Sequence, residues 1–173
     1  MAKPESNNLN RNVWTLCGTS FLRDVSSEML VHLVPLFLAN VLGARTWVVG
    51  LIEGVAETTA SLLKLFSGRL SDQLSRRKPL TVGGYALAGL ATPLLFLANS
   101  WPMVMLYRFL DRVGKGLRTA PRDALLADST PVELRGRAFG YHRAADSAGA
   151  MVGLLLAGVV VYHLQANQAL LER

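Results

Sequence analysis

The apolar residues of this chain fall into five long blocks, and short polar stretches separate them. Each block is close to the roughly 20 residues that an α-helix needs to cross the hydrocarbon core of a bilayer. The blocks span residues 13–42, 47–70, 80–98, 102–119 and 138–164. This pattern predicts an all-α fold, a polytopic membrane helix bundle over residues 13–164. Polar tails are expected at residues 1–12 and 165–173.

Short polar stretches connect most of these spans. Residues 43–46 and 99–102 join their flanking blocks directly, so consecutive helices are expected to be antiparallel neighbours. The connection at residues 121–136 is longer, and we expect one short amphipathic helix at residues 124–127 within it. A helix start is expected at Pro131 and Glu133, because proline suits the first helical turn and glutamate can close a capping box.

The cations of the chain lie mostly on one side of the predicted membrane. Short loops rich in lysine and arginine face the cytoplasm. The cations that this rule places there are Lys3, Arg11, Arg69, Arg76, Arg77, Lys78, Arg118, Arg122, Arg135 and Arg137, whereas Arg45 and Arg173 fall on the other side. We therefore expect a cytoplasmic amino terminus and, after five crossings, an external carboxyl terminus.

The formal net charge of +6 does not indicate a nucleic-acid partner. The cations cluster between apolar blocks, and the sequence has no basic arm with interleaved aromatic residues. We expect membrane lipid, and no nucleic acid, among the partners of this chain.

Four of the predicted spans carry several ionisable residues each, and those of the fifth span, His142, Arg143 and Asp146, lie near its cytoplasmic end. A charge at the bilayer centre costs at least about 2.5 kcal/mol on insertion scales, so these side chains should face protein or a water-filled cavity. The residues concerned are Asp24, Glu28, Glu53, Glu57, Arg108, Asp111, Arg112 and Lys115. At about 100° per residue, their spacing places them on one stripe of each helix. We interpret them as a path for a substrate or for protons. The alternative is that they form ion pairs with a purely structural role.

Depth in the membrane brings some of these charges together. The residues expected near the midplane, where transporters place their binding sites, are Asp24, Glu28, Glu57 and Arg112. We expect Arg112 to lie within ion-pairing distance of at least one of the three acids, because an unpaired charge in a helix bundle is costly. Several acids around one arginine leave a carboxyl group unmatched, and Glu28 and Glu57 are the first candidates for carrying a proton. The alternative is that Lys64 neutralises the acids of its own span.

Small residues recur at every fourth position of the fifth span, at Ala145, Gly149, Gly153 and Ala157. Such a ridge lets the backbone of another helix approach closely. We interpret it as a helix-packing surface and not as a binding site.

The basic loop between the second and third spans carries a family pattern. A glycine closes the second span, an aspartate follows, and cations precede the third span; the residues are Gly68, Leu70, Ser71, Asp72, Arg76 and Arg77. They resemble the signature loop Gly-x-Leu-small-Asp-Arg-x-Gly-Arg-Arg/Lys of the major facilitator superfamily, with Gln73 and Ser75 in place of the usual Arg and Gly. The resemblance implies that Asp72 and its neighbouring arginines hold one conformation of a transport cycle.

The fourth span adds to the resemblance. Its stretch from Arg108 to Gly114 is similar to the family motif Arg-x-x-Gln-Gly-x-Gly, with Asp111 and Arg112 at the positions of Gln and the first Gly. Residues 120–128 also resemble one bacterial subgroup of permeases. Over almost its whole length, the chain is thus similar to the amino-terminal part of a bacterial major facilitator transporter.

The resemblance implies a transporter of twelve helices in two six-helix halves, located in the bacterial inner (plasma) membrane. We expect a proton-coupled secondary transporter of a small organic solute or drug. Because five spans make less than one half, we expect a missing carboxyl-terminal half or a partner chain to complete the path. The alternative is a non-transporting truncated membrane protein or a scaffold subunit whose intramembrane charges are structural ion pairs.

No enzyme active site is recognisable in the sequence. It has no Ser-His-Asp nucleophile elbow, no glycine-rich phosphate loop and no metal-ligand spacing, and His32, His142 and His163 are scattered along the chain. We therefore expect no catalysis, no cofactor and no metal ion.

Overall fold

The computed structural model describes residues 9–74 and 77–171. Helices make up almost all of this part of the chain, which confirms the all-α fold. The α-helices are α1 (Arg11–Asn40), α2 (Thr46–Leu74), α3 (Arg77–Ala91), α4 (Trp101–Asp128) and α5 (Arg135–Leu171), and 3-10 helices cover Thr92–Leu97 and Val132–Leu134. Arg76 of the basic loop lies outside the described residues, as do residues 1–8 and 172–173 of the predicted tails.

Local signals explain where α1 and α3 end. α1 ends in a turn in which the Ala44 N–H donates to the Leu38 carbonyl at 2.8 Å and Gly43 has a φ of +60°. Glycine suits this left-handed position because it has no Cβ. α3 gives way to the 3-10 helix at Thr92–Leu97, since Pro93 has no N–H with which to continue the α-helical ladder.

α4 is longer than predicted. The prediction that the fourth span ends at residue 119, with a separate short helix at residues 124–127, is wrong, because one helix runs from Trp101 to Asp128. Pro121 lies inside this helix and is fully buried. Proline removes one backbone hydrogen bond, but Arg122 and Leu126 beyond it are also buried. Packing of this last part of the helix therefore outweighs the lost bond.

α5 also extends beyond its predicted boundaries. The 3-10 turn at Val132–Leu134 leads directly into it, in agreement with the helix start predicted at Pro131 and Glu133. At its other end α5 continues to Leu171. Most of the stretch predicted as a polar tail, residues 165–171, therefore prolongs the helix.

Residues 33–125 form one compact unit that contains α2, α3 and most of α4. Glycines bring α3 and α4 close together, since a Cβ on Gly114 would lie only 2.6 Å from the Gly84 carbonyl oxygen. Gly84 also faces Arg118, and Gly114 also faces Ala88. Residue numbers therefore fall along α3 as they rise along α4, and the two helices are antiparallel.

α2 and α4, in the same unit, run parallel. A Cβ on Gly116 would lie 2.6 Å from the Leu63 Cβ, and one on Gly68 would lie 3.5 Å from the Ala120 Cβ, so residue numbers rise together along both helices. Ser67 Oγ adds a hydrogen bond of 2.8 Å to the Gly116 carbonyl. Because the helices share a direction, side chains with equal spacing on each can pair repeatedly.

The other compact unit consists of residues 1–32 and 126–173, and it pairs the first part of α1 with α5. A Cβ on Gly149 would lie 2.6 Å from the Phe21 carbonyl oxygen, and one on Gly153 would lie 2.5 Å from that of Val25. These two helices are therefore also parallel. Gly149, Gly153 and Ala157 of the small-residue ridge are buried, and Ala145 is half-buried.

Two stretches of the described chain, Arg77–Leu97 and Val132–Gln165, are long and apolar enough to cross a membrane by length and composition. α1, α2 and α4 do not meet that criterion. They are the helices that carry the three stripes of ionisable residues. These charged side chains make the helices too polar to meet the criterion.

The contact between α3 and α4 leads to the first prediction. We expect Gly114→Ala to lower the free energy of unfolding in detergent micelles by about 1–3 kcal/mol, because the new methyl group would overlap the α3 backbone. The matched control is Gly89→Ala in α3, where nothing lies within 4 Å of the new Cβ. That control should be neutral or stabilising by up to about 1 kcal/mol. Equal effects of the two substitutions would contradict the tight contact.

Candidate functional site

Two ion pairs connect α2 and α4 like the rungs of a ladder. In the first, Arg108 makes two hydrogen bonds to Glu53: Nε donates to Oε1 at 2.9 Å and Nη2 donates to Oε2. In the second, Arg112 Nη1 lies 3.2 Å from Glu57 Oε1. The rungs repeat because the acids on α2 and the arginines on α4 are each four residues apart, about one turn of helix.

Asp111 joins the two rungs. Its Oδ2 lies 3.9 Å from Arg108 Nη1 and 3.7 Å from Arg112 Nε. We refer to Asp111 together with the two pairs as the charge ladder; its members are Glu53, Glu57, Arg108, Asp111 and Arg112. Three carboxyl groups thus face two guanidinium groups within the charge ladder. Lys115 follows Asp111 by one turn of α4.

The two sides of the charge ladder differ in burial. The side chains of Arg108 and Arg112 are 1% and 4% exposed, whereas those of Glu53 and Glu57 are 31% and 59% exposed. Arginine keeps its charge in proteins, so these two cations need the acids beside them. The arrangement presents carboxylates at an accessible surface with fixed positive charge directly behind them.

This geometry answers the sequence predictions for α2 and α4. The expected ion pair between Arg112 and one of the midplane acids is present, and its partner is Glu57. Among the described residues, Glu53 and Glu57 pair with arginines of α4 rather than with Lys64 of their own helix. The role of these residues as a path for substrate or protons stays a prediction.

Asp24 and Glu28 belong to the unit formed by α1 and α5. Their Cβ atoms lie beside Gly149 and Gly153, each 3.2 Å from where a Cβ on the glycine would stand. Both acids thus lie next to the small-residue ridge. Their predicted convergence with Arg112 stays a prediction.

The signature loop ties three helix ends together. Arg77, the first residue of α3, lies 3.7 Å from Asp72 near the end of α2, and its Nη1 donates to the Ala124 carbonyl of α4 at 3.3 Å. Gly68 lies where α4 approaches α2, because a Cβ at this position would be in van der Waals contact with the Ala120 Cβ. Asp72 therefore pairs at the end of its helix, as the pattern of the loop suggests.

A second polar cluster lies in the unit of α1 and α5, and sequence reasoning named two of its members, His142 and Asp146, but missed Ser20. His142 Nε2 lies 3.1 Å from Ser20 Oγ, and its Nδ1 lies 3.5 Å from Asp146 Oδ2. The spacing of four between His142 and Asp146 is visible in the sequence, but Ser20 is 122 residues away. No local pattern could have indicated that third member. Within residues 9–74 and 77–171, no group of three His, Cys, Asp or Glu side chains could hold a metal ion.

An all-α fold with ion pairs buried between its helices is typical of polytopic membrane proteins. The chain belongs to the Major Facilitator Superfamily, whose family model matches residues 16–169. It is therefore a membrane protein from a family of transporters, as the signature loop and the fourth span predicted.

Individual relatives agree with this assignment. An uncharacterised MFS-type transporter of Methanocaldococcus jannaschii is 40% identical over 157 residues, which cover 91% of this chain and 39% of the relative. An uncharacterised protein of Mycobacterium tuberculosis is 40% identical over 140 residues, 80% of this chain and 34% of the relative. The multidrug resistance protein MdtH of Aeromonas hydrophila is 32% identical over 143 residues, 83% of this chain and 36% of the relative. The chain thus spans about two fifths or less of the length of these relatives.

The signature loop generates the second prediction. Asp72 is 72% exposed in its ion pair with Arg77, and exposed pairs contribute about 0–1 kcal/mol to stability. Asp72→Asn should therefore leave expression and the unfolding midpoint in detergent almost unchanged, yet impair transport in a complete transporter that contains this segment. Unchanged transport would contradict the gating role of the loop, and lost expression would show that the loop is needed for folding.

Proposed function

We propose that this chain forms part of a proton-coupled secondary transporter of a small organic solute or drug. The observation that carries the proposal is the charge ladder, in which buried arginines hold partly exposed carboxylates between α2 and α4. Ionisable residues inside a membrane bundle are costly and are found chiefly on pathways for substrates and ions.

The ladder offers a way to exchange partners during transport. A carboxylate such as Glu57, which is 59% exposed, can separate from its arginine and accept a proton or a cationic group of a solute. The arginine left behind is then a fixed positive charge that can receive an anionic group.

The solute class is taken from the relatives. The protein of Aeromonas hydrophila is named as a multidrug resistance protein, and most of this chain is similar to it. We therefore propose a small organic solute or drug as the substrate. Lipid and a further part of the transporter, either a carboxyl-terminal half or a partner chain, would complete the path.

The orientation follows from the distribution of cations. We propose that the protein lies in the bacterial inner membrane with its amino terminus in the cytoplasm, because the basic loop at Arg77 and Lys78 and the basic stretch at Arg135 and Arg137 would then both face the cytoplasm.

A structural role of the ladder is the second candidate, and one observation favours it. Glu53 and Glu57 each have an arginine partner, as expected for pairs that serve only to let α2 and α4 pack in the membrane. In that case substitutions at the ladder would change stability without changing the dependence of transport on a proton gradient.

The third prediction separates these two candidates. In a complete transporter containing this segment, reconstituted in proteoliposomes with an imposed pH gradient and ethidium as the probe, Glu28→Gln and Glu57→Gln should each reduce gradient-driven transport about a hundredfold or more, the usual scale for a lost proton-transfer group. Glu133→Gln is the control, because Glu133 is exposed in the 3-10 turn before α5. If both path variants transport as fast as the control, neither acid carries the proton.

A further inference from the structure

The cluster of Ser20, His142 and Asp146 belongs to the unit of α1 and α5, whereas the charge ladder belongs to the other unit. His142 stands seven residues into α5, about 10 Å from its start at 1.5 Å per residue. Ser20 and His142 are each 1% exposed, whereas the Asp146 side chain is 17% exposed. The imidazole is thus enclosed, and Asp146 is the most exposed member of the cluster, although its Oδ1 is buried.

The three side chains are arranged in the order of a serine hydrolase triad, but the burial excludes that chemistry. A substrate carbonyl would have to reach the Ser20 hydroxyl, which is enclosed together with the imidazole. A nucleophile also needs hydrogen-bond donors around the developing oxyanion, and the neighbouring turns of α1 are continuous helix, whose N–H groups are already bonded. A hydrogen-bonded imidazole can still bind a proton.

The cluster can satisfy the imidazole in both of its charge states without moving a heavy atom. When the ring is neutral with its proton on Nδ1, facing Asp146, the Ser20 hydroxyl can donate to the bare Nε2. When the ring is charged, Nε2–H can donate to Ser20 Oγ instead, because a hydroxyl both donates and accepts. The distances of 3.1 Å and 3.5 Å fit both states.

The charges around the ring set the balance between the two states. On α5, Asp146 attracts the charged ring, and Arg143 competes for the same oxygen, since its Nη1 lies 3.7 Å from Asp146 Oδ2. The ionisable residues of α1 within about one turn of Ser20 are Cys17, Arg23 and Asp24. With a neutral ring, Arg143 and Asp146 cancel. A bound proton therefore adds one positive charge at the contact between α1 and α5.

We propose that Ser20, His142 and Asp146 form a proton-binding site in which the His142 imidazole takes up and releases the proton through Asp146. The site would act on the contact of α1 with α5, because Gly149, where the two backbones meet, lies two turns further along α5. A role of this site in coupling proton binding to transport rests on the proposed function of proton-linked transport. The binding of the proton itself does not rest on it.

The test follows the imidazole directly and needs no solute. The full chain, labelled with ¹³C and ¹⁵N at histidine, is placed in nanodiscs of phosphatidylethanolamine and phosphatidylglycerol, and NMR spectra are recorded over about pH 5 to 8, the range in which histidines change charge. His142→Gln identifies the His142 signals by their loss. The exposed His163 serves as the internal control.

The proposal predicts that His142 passes reversibly between its neutral and charged forms in this series. Asp146→Asn should lower the ratio of charged to neutral ring by about tenfold or more, since an opposite charge at this distance is removed. Asp146→Glu should restore the ratio. Ser20→Ala should move the Nε2 signal of His142 and leave the signals of His163 in place.

Two results would overturn the proposal: a His142 ring that stays neutral at every pH, or an Asp146→Asn variant with an unchanged ratio. If Asp146→Asn does not fold, Arg143→Gln replaces it. The Arg143 side chain is 60% exposed, and removing it should raise the charged fraction severalfold; an unchanged fraction would again overturn the proposal. The two proposals can fail separately. If His142 changes charge as predicted but a complete transporter containing this segment shows no ethidium transport driven by a pH gradient, only the proposed function is contradicted.

Discussion

The pairing of two buried arginines with two glutamates between parallel helices is the interaction on which the rest of this structure depends. Arg108 and Arg112 keep their charge and are almost fully enclosed, so α4 can stand in a membrane only where α2 brings Glu53 and Glu57 opposite them. That requirement fixes the direction and the register of the two helices. The close contacts at Gly116 and Ser67 continue the same register toward the signature loop.

Packing and electrostatics thus cooperate at each helix contact. Small residues let two backbones approach until polar side chains one or two turns away come within hydrogen-bonding distance. In the unit of α2, α3 and α4 the result is the charge ladder, and in the unit of α1 and α5 it is the cluster around His142. A transporter has to change its conformation repeatedly, and groups that exchange partners or protons at such contacts bias one conformation against another by changing local charge.

Much of the fold could be predicted from the sequence, because apolar blocks of membrane-spanning length, separated by basic loops, are typical of helices that cross a bilayer. The continuation of α4 through Pro121 could not be predicted. The sequence shows the proline, which disfavours a helix, but it does not show that Leu126 beyond it is buried and stabilises the last turns. That Arg112 pairs with an acid followed from the cost of isolated charges, but the choice of Glu57 among the three candidate acids did not. The contact of Ser20 with His142 depends on the packing of distant helices and has no local signal.

The central claim is that the charge ladder holds α2 against α4, and a double-mutant cycle at Glu53 and Arg108 tests it most directly. The free energy of unfolding in detergent micelles would be measured for Glu53→Gln, Arg108→Gln and the double variant. We predict a coupling energy of about 2–3 kcal/mol, below the 3–5 kcal/mol lost when one partner of a fully buried pair is removed, because Glu53 is 31% exposed. The same cycle at Glu57 and Arg112 should give a smaller coupling, since Glu57 is 59% exposed. Additive effects at Glu53 and Arg108, with no coupling, would contradict the account.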